Sequence, residues 1–92
     1  MESFAKIELQ GIVGIVHTFG SGENRAVFFS VMTYGEHIDS QWFYCRKQDA
    51  RLMPQKGDFV HVTGQLEMRK YTDLSDNERV RFEVIVSEYE KL

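Results

Sequence analysis

The chain has 92 residues, of which 42% are hydrophobic and 27% charged. That is the composition of one small globular domain, with a core that takes roughly 60–65% of the unfolded chain's surface, and it excludes a collagen-like, coiled-coil or broadly disordered chain. No apolar run approaches the ~18 residues of a membrane-spanning helix, and the start (Met1, Glu2, Ser3, Phe4) lacks the basic-then-apolar layout of a secretory signal. A single cysteine, Cys45, forms no internal disulfide, so a reducing cytoplasm is the expectation. The size favours a binding module over an enzyme with a large cleft.

The net charge of −3 is unevenly spread. Residues 1–41 hold two basic and five acidic groups, and residues 72–92 three basic and six acidic, each −3. The middle stretch, residues 42–71, reads +3: Arg46, Lys47, Arg51, Lys56, Arg69 and Lys70 against Asp49, Asp58 and Glu67. It also carries Trp42, Phe43, Tyr44 and Tyr71. Cations interleaved with aromatic rings suit a phosphate backbone whose bases need a surface to stack on. A solvated basic face with incidental aromatics is the plainer alternative at this point.

In chain order the pattern is all strand. Lys6–Ile15 alternates Ile7 and Leu9 with polar residues, and Gly11 and Gly14 mark bends or bulges. Phe19–Asn24 is a turn cluster. Ala26–Thr33 is the second strand, with Phe29 and Val31 on one face and Phe28, Ser30 and Met32 on the other. Gly35–Ser40 forms a short hairpin loop. Gln41–Arg46 is the third strand, and period two puts Trp42, Tyr44 and Arg46 on one face with Phe43 and Cys45 on the other. Gln48–Met53 is the one segment with room for a short helix, which Pro54 ends.

Phe59–Tyr71 is a long fourth strand, with Val60, Val62, Leu66 and Met68 inward and a bend at Gly64. Leu74–Glu78 is a polar turn, and Val80–Val86 closes the set with Val80, Phe82, Val84 and Val86 inward. Five strands, two of them glycine-bent, with at most one short helix between the third and fourth, describe an all-β OB-fold barrel occupying residues 1–92 as one domain. A smaller SH3-like barrel competes less well, because its strands are usually shorter than residues 59–71.

The stretch Gly57–Leu66 followed by Glu67-Met68-Arg69-Lys70-Tyr71-Thr72-Asp73 resembles the fourth strand of the bacterial single-stranded-DNA-binding (SSB) family. Arg79–Val86 is similar to that family's last strand, Lys6–Gly14 to its first, Val27–Thr33 to its second and Gln41-Trp42-Phe43 to the start of its third. The resemblance covers about residues 6–86. It implies single-stranded DNA binding with little sequence preference, in DNA replication, recombination and repair, by a homodimer or homotetramer. Position by position, Trp42 and Tyr71 match the family's stacking tryptophans, and Arg69 and Lys70 its phosphate-facing basic pair. Arg46 rests on period two instead of on the match. Tyr44, Phe28, Lys47 and Lys56 complete the expected site; Tyr44 and Phe28 alternatively line a subunit interface.

Departures from the family point to alternatives. The hairpin at Tyr34–Ser40 is short, Lys47–Lys56 is reduced, Phe43 stands where the family has histidine, and Tyr34 is a loose substitute for a further tryptophan. The chain stops at Leu92 without the linker and acidic tip of housekeeping members, as in the related primosomal replication protein N. A primosome-type accessory protein, and an OB module that contacts only proteins, therefore stand as rivals. Replication and repair proteins are candidate partners; no cofactor is expected.

No catalytic signature appears. His17, His37 and His61 with Cys45 match no zinc-ligand spacing. Asp73 and Asp76 lie in a turn, where aspartate serves the backbone, and Cys45 fits a small core residue.

Overall fold

Valine and phenylalanine at alternate positions make strands here because branched and aromatic side chains pack well on a pleated, half-buried surface. The computed structural model describes residues 4–35, 38–48 and 54–92, with backbone alone at residues 23, 38 and 39. The described residues form five strands: β1 (Lys6–Phe19), β2 (Ala26–Gly35), β3 (Ile38–Gln48), β4 (Phe59–Thr72) and β5 (Glu78–Lys91). They hydrogen-bond in the order β1-β2-β3-β5-β4, and β4 pairs back onto β1 to close a barrel. This is the OB-fold barrel that the sequence predicts. Among the described residues β3–β5 is the parallel seam, three residue pairs long from Tyr44↔Glu83 to Arg46↔Ile85.

The core is one row from each strand. Val13, Val27, Phe29, Val31, Cys45, Val60, Val62 and Val84 are essentially sealed from solvent. Phe43, Leu66 and Tyr89 pack against them. Burial pushes the Cys45 thiol up to about 12, so it stays protonated at neutral pH. None of the helices is long and apolar enough to cross a membrane among the described residues.

Register shifts occur at Gly14 and beside Gly64, but not at Gly11, which stays in an unbroken β1–β4 ladder opposite Val60. The β1–β2 register shifts between Val13 and Val16, around Gly14. The β4–β5 register shifts between Thr63 and Gly64. A Cβ at Gly64 would strike the carbonyl oxygen of Ile85, so only glycine lets the strands approach there.

Strand lengths differ from expectation. β1 continues through Phe19, which is the end of a strand and not part of a turn; a single 3-10 turn at Gly22–Asn24 follows. β2 and β3 run on to the pair Gly35↔Ile38, so their connection is tighter than Gly35–Ser40. The expected helix at Gln48–Met53 lies outside the described residues from 49 onward, as does Arg51; Gln48 ends β3.

The larger correction concerns Met68, Val80 and Phe82. Each keeps the inward phase of its strand, yet they are 57%, 51% and 58% exposed. β1 leaves β4 after Lys6↔Gln65, and β3 meets β5 no further out than Glu83. Beyond that point, among the described residues, β4 and β5 pair only with each other, from Met68↔Phe82 to Thr72↔Glu78. The period-two pattern persists on this projecting ribbon, but among the described residues no second layer lies beneath it. Asp73 closes the ribbon's turn. Its Oδ1 accepts the N–H groups of Ser75 and Asn77, and its Oδ2 accepts from Arg79 Nε at 2.8 Å.

Candidate nucleic-acid interface

The outer rows of β2, β3, β4 and β5 make a continuous face of rings and guanidinium groups. At one end lies Trp42, paired with Met32 across the sheet and 52% exposed. Its ring rests over Gly14, where a Cβ would collide with the indole. The β1 bulge at Gly14 is therefore also the seat of Trp42. Ser30 Oγ, buried below, accepts the Ile15 N–H at 2.9 Å and holds the bulge in place. Gly14, Ile15, Ser30, Trp42, Tyr44 and Lys56 line a cleft of about 470 Å³, within the range of small-ligand sites. Lys56 comes from the turn before β4. That turn is fixed by Gly57 N–H donating to Val13 O and by Gln55 N–H donating to Asp58 Oδ2.

Tyr44 links this cleft to the other end. It stacks on Phe28, ring centroids 5.6 Å apart and planes 13° from parallel. The guanidinium of Arg81 lies 5.2 Å from the Phe28 centroid, 5.5 Å from Tyr44 and 5.3 Å from Tyr71. Three rings from β2, β3 and β4 thus surround one arginine of β5, each contact of the cation–π kind.

Beneath them sits Glu83, fully buried on the outer row of β5. Arg81 Nη2 donates to its Oε1 at 2.9 Å, while Arg46 Nε and Arg69 Nε approach its Oε2 at 3.3 and 3.1 Å. The carboxylate collects cations from β3, β4 and β5 at the short parallel seam. A buried carboxylate survives there because guanidinium groups replace the water it loses. Arg46 also reaches Phe19, 5.9 Å from that ring's centroid.

The structure brings Phe28, Trp42, Tyr44, Tyr71, Arg46, Arg69 and Lys56 onto this one face. It does not bring Lys70 or Lys47 there. Lys70 alternates with Arg69 and Tyr71 on an unbroken register, pairs with Val80, and lies 4.0 Å from Glu78 on the ribbon's opposite side. Lys47 follows Arg46 on the row of Cys45, opposite Val27, and is half-buried. Tyr34 is exposed near the β2–β3 connection.

Sequence reasoning missed Arg81, Glu83 and Phe19. The signal for the first two was present: Arg81 and Glu83 are two apart, so they share the outer row of β5. Their importance comes from the barrel closure that sets Glu83 beside Tyr44. Among the described residues no group of three or more His, Cys, Asp or Glu is placed to hold a metal. Cys45 faces the core, His61 pairs with Glu8 on the β1–β4 surface, and His37 lies outside the described residues.

No protein-family model matches the chain. No curated protein sequence matches it either. Solved structures do. A mitochondrial single-stranded DNA binding protein from S. cerevisiae superposes with a TM-score of 0.76 at 14% identity, covering 99% of this chain and 97% of that one. A Plasmodium falciparum SSB in complex with ssDNA gives 0.76 at 23% identity over 100% and 97%. A small single-stranded DNA-binding protein from Streptomyces coelicolor gives 0.74 at 16% identity over 98% and 95%. Over essentially its whole length, the chain has the OB fold of single-stranded-DNA-binding proteins.

Proposed function

We propose that this protein binds single-stranded DNA with little sequence preference. The observation that carries the reading is the continuous outer face on which Trp42, Tyr44, Phe28 and Tyr71 alternate with Arg46, Arg69 and Arg81. Its fold likeness to proteins that bind single strands supports it. Stacking tolerates any base, because every base has a π face, and contributes roughly 1–3 kcal/mol per base. In this reading a base lies on Trp42 in the Gly14 cleft, with Lys56 at the adjoining phosphate. A second stacks on the exposed side of Tyr71 or Tyr44, and Arg46 and Arg69 meet the backbone between them. The acidic flanks repel the strand elsewhere and keep it on this track.

One barrel offers a short face, so we assign the working form to a homodimer or homotetramer acting in DNA replication, recombination and repair. The exposed apolar ribbon residues Met68, Val80 and Phe82 are compatible with such association. They equally give substance to a second reading, an accessory OB protein of the primosomal type that also contacts proteins.

The test is anisotropy of a labelled oligo-dT of about 30 nucleotides, with matching duplex as control, across a salt series. Neutralising two to three phosphates, at Lys56 and at Arg46 and Arg69, predicts a log–log salt slope of about −1.4 to −2. Absence of binding at low salt, or equal preference for duplex, overturns the reading.

A further inference from the structure

Glu83 is an acidic residue in the middle of a face proposed to bind a polyanion, and taken by itself it would oppose that binding. Its surroundings indicate the reverse. The carboxylate is fully buried, whereas the side chains of Arg46, Arg81 and Arg69 around it are 24%, 33% and 46% exposed. The cluster is therefore closed on the carboxylate side and open on the arginine side. One negative and three positive groups leave a net charge of +2 at that opening. A guanidinium has five N–H donors; Glu83 Oε1 accepts one from Arg81 and one from Arg46, while Arg69 meets Oε2 as an ion pair. Glu83 Oε2 and the Nε atoms of Arg46 and Arg81 are buried and make no hydrogen bond, so ion pairing to Oε2, the hydrogen bonds to Oε1 and the rings set the guanidinium planes.

We infer that Glu83 is a positioning residue: it gathers Arg46, Arg69 and Arg81 from three adjacent strands into one site for a backbone phosphate, and seats Arg81 among Phe28, Tyr44 and Tyr71. The inference rests on the single-strand reading above and adds Arg81 and Glu83 to its machinery. Without the carboxylate, three like charges in contact repel one another. Arg81 then loses its anchor, and the rings lose the cation that spaces them.

Substitution separates this role from a plain counter-charge, because the two predict opposite signs. Glu83→Gln makes the face more positive by one. If Glu83 merely dilutes the positive charge, E83Q binds oligo-dT as tightly as wild type or tighter, with the same salt slope. If it positions the arginines, E83Q binds more weakly, by roughly fivefold or more, and the slope becomes shallower by about 0.7, one phosphate contact. Glu83→Asp keeps the charge, withdraws it by one methylene, and is expected to shift both readouts the same way.

The measurement is the anisotropy salt series for wild type, E83Q and E83D, with circular dichroism melts of each. Folded variants that bind as wild type does, at an unchanged slope, overturn the inference and leave the single-strand reading intact. If E83Q does not fold, E83D decides by the same two readouts. Failure of both to fold makes the carboxylate a structural clamp of the β3–β5 seam and overturns the inference. Failure of wild type to bind overturns the single-strand reading, and this inference with it.

Discussion

At one end of the outer face Trp42 lies over Gly14, half exposed, with Lys56 the cation that lines its cleft among the described residues. At the other end Phe28, Tyr44 and Tyr71 are already in contact with Arg81, which is tied to a buried carboxylate. The first end offers an open ring, and a ligand base gains its whole stacking energy there. The second is a preorganised cationic floor whose rings have spent one face on a protein cation. In the proposed function, a single DNA strand crossing both meets a stacking site first and a phosphate site second, joined by Tyr44.

That contrast predicts the largest effect at the open end. Trp42→Ala is expected to weaken oligo-dT binding by roughly 5- to 150-fold, the equivalent of about 1–3 kcal/mol of stacking. Its melting temperature should change little, because the ring lies on the surface. Tyr71→Ala, at the closed end, should cost less than Trp42→Ala, since Arg81 retains two of its three rings. A Tyr71→Ala loss as large as that of Trp42→Ala would erase the proposed difference between the ends.

Two neighbours on one strand sharpen the contrast further. Arg69 faces Glu83, while Lys70 points to the other side of the ribbon toward Glu78. Arg69→Gln should reduce affinity several-fold and flatten the salt slope by about 0.7. Lys70→Gln should do neither, since an exposed pair at this distance contributes about 0–1 kcal/mol at most to stability. Equal losses from the two variants, read in the same anisotropy series, would show that net charge alone governs binding.

The smallest effect lies at the ribbon tip. The Arg79 guanidinium beside Asp73, and then the Asn77 and Ser75 N–H groups, hold its carboxyl below the ordinary value of 3.8. A carboxyl depressed in the folded state adds stability above its unfolded pKa and loses it as pH falls through the folded value. Asp73→Asn should therefore melt slightly below wild type at pH 7, and the gap should close in melts taken well below pH 4. A gap independent of pH would mean that the turn does not depend on the charge.

The fold was legible because its signals are local. Alternating valines, two bulge glycines and the Trp42-Phe43-Tyr44-Cys45 phase each act within one strand, and the structure reproduces the rows they specify. The same reasoning misplaced Met68, Val80 and Phe82. Period two states which side of a strand a residue takes, and not whether another layer covers that side. The open end of the site was legible for the same local reason, since Trp42, Tyr44 and Arg46 sit two apart on β3. The closed end was not. Glu83 reaches Tyr44 and Arg46 only through the β3–β5 seam, which joins residues nearly forty positions apart, whereas Arg69 comes to it along the β4–β5 ladder. Phe19 enters only because β1 runs four residues longer than its pattern indicates.

The central claim, a base stacked on Trp42, has a built-in reporter, because Trp42 is the sole tryptophan of the chain. Intrinsic fluorescence is followed while an oligo-dT of about 30 nucleotides is added, at several salt concentrations and with matching duplex in parallel. The account predicts saturable quenching by the single strand, weakened by salt and absent with duplex. Binding seen by anisotropy with no change in Trp42 emission would contradict the stacking geometry, and no binding by either readout would contradict the function.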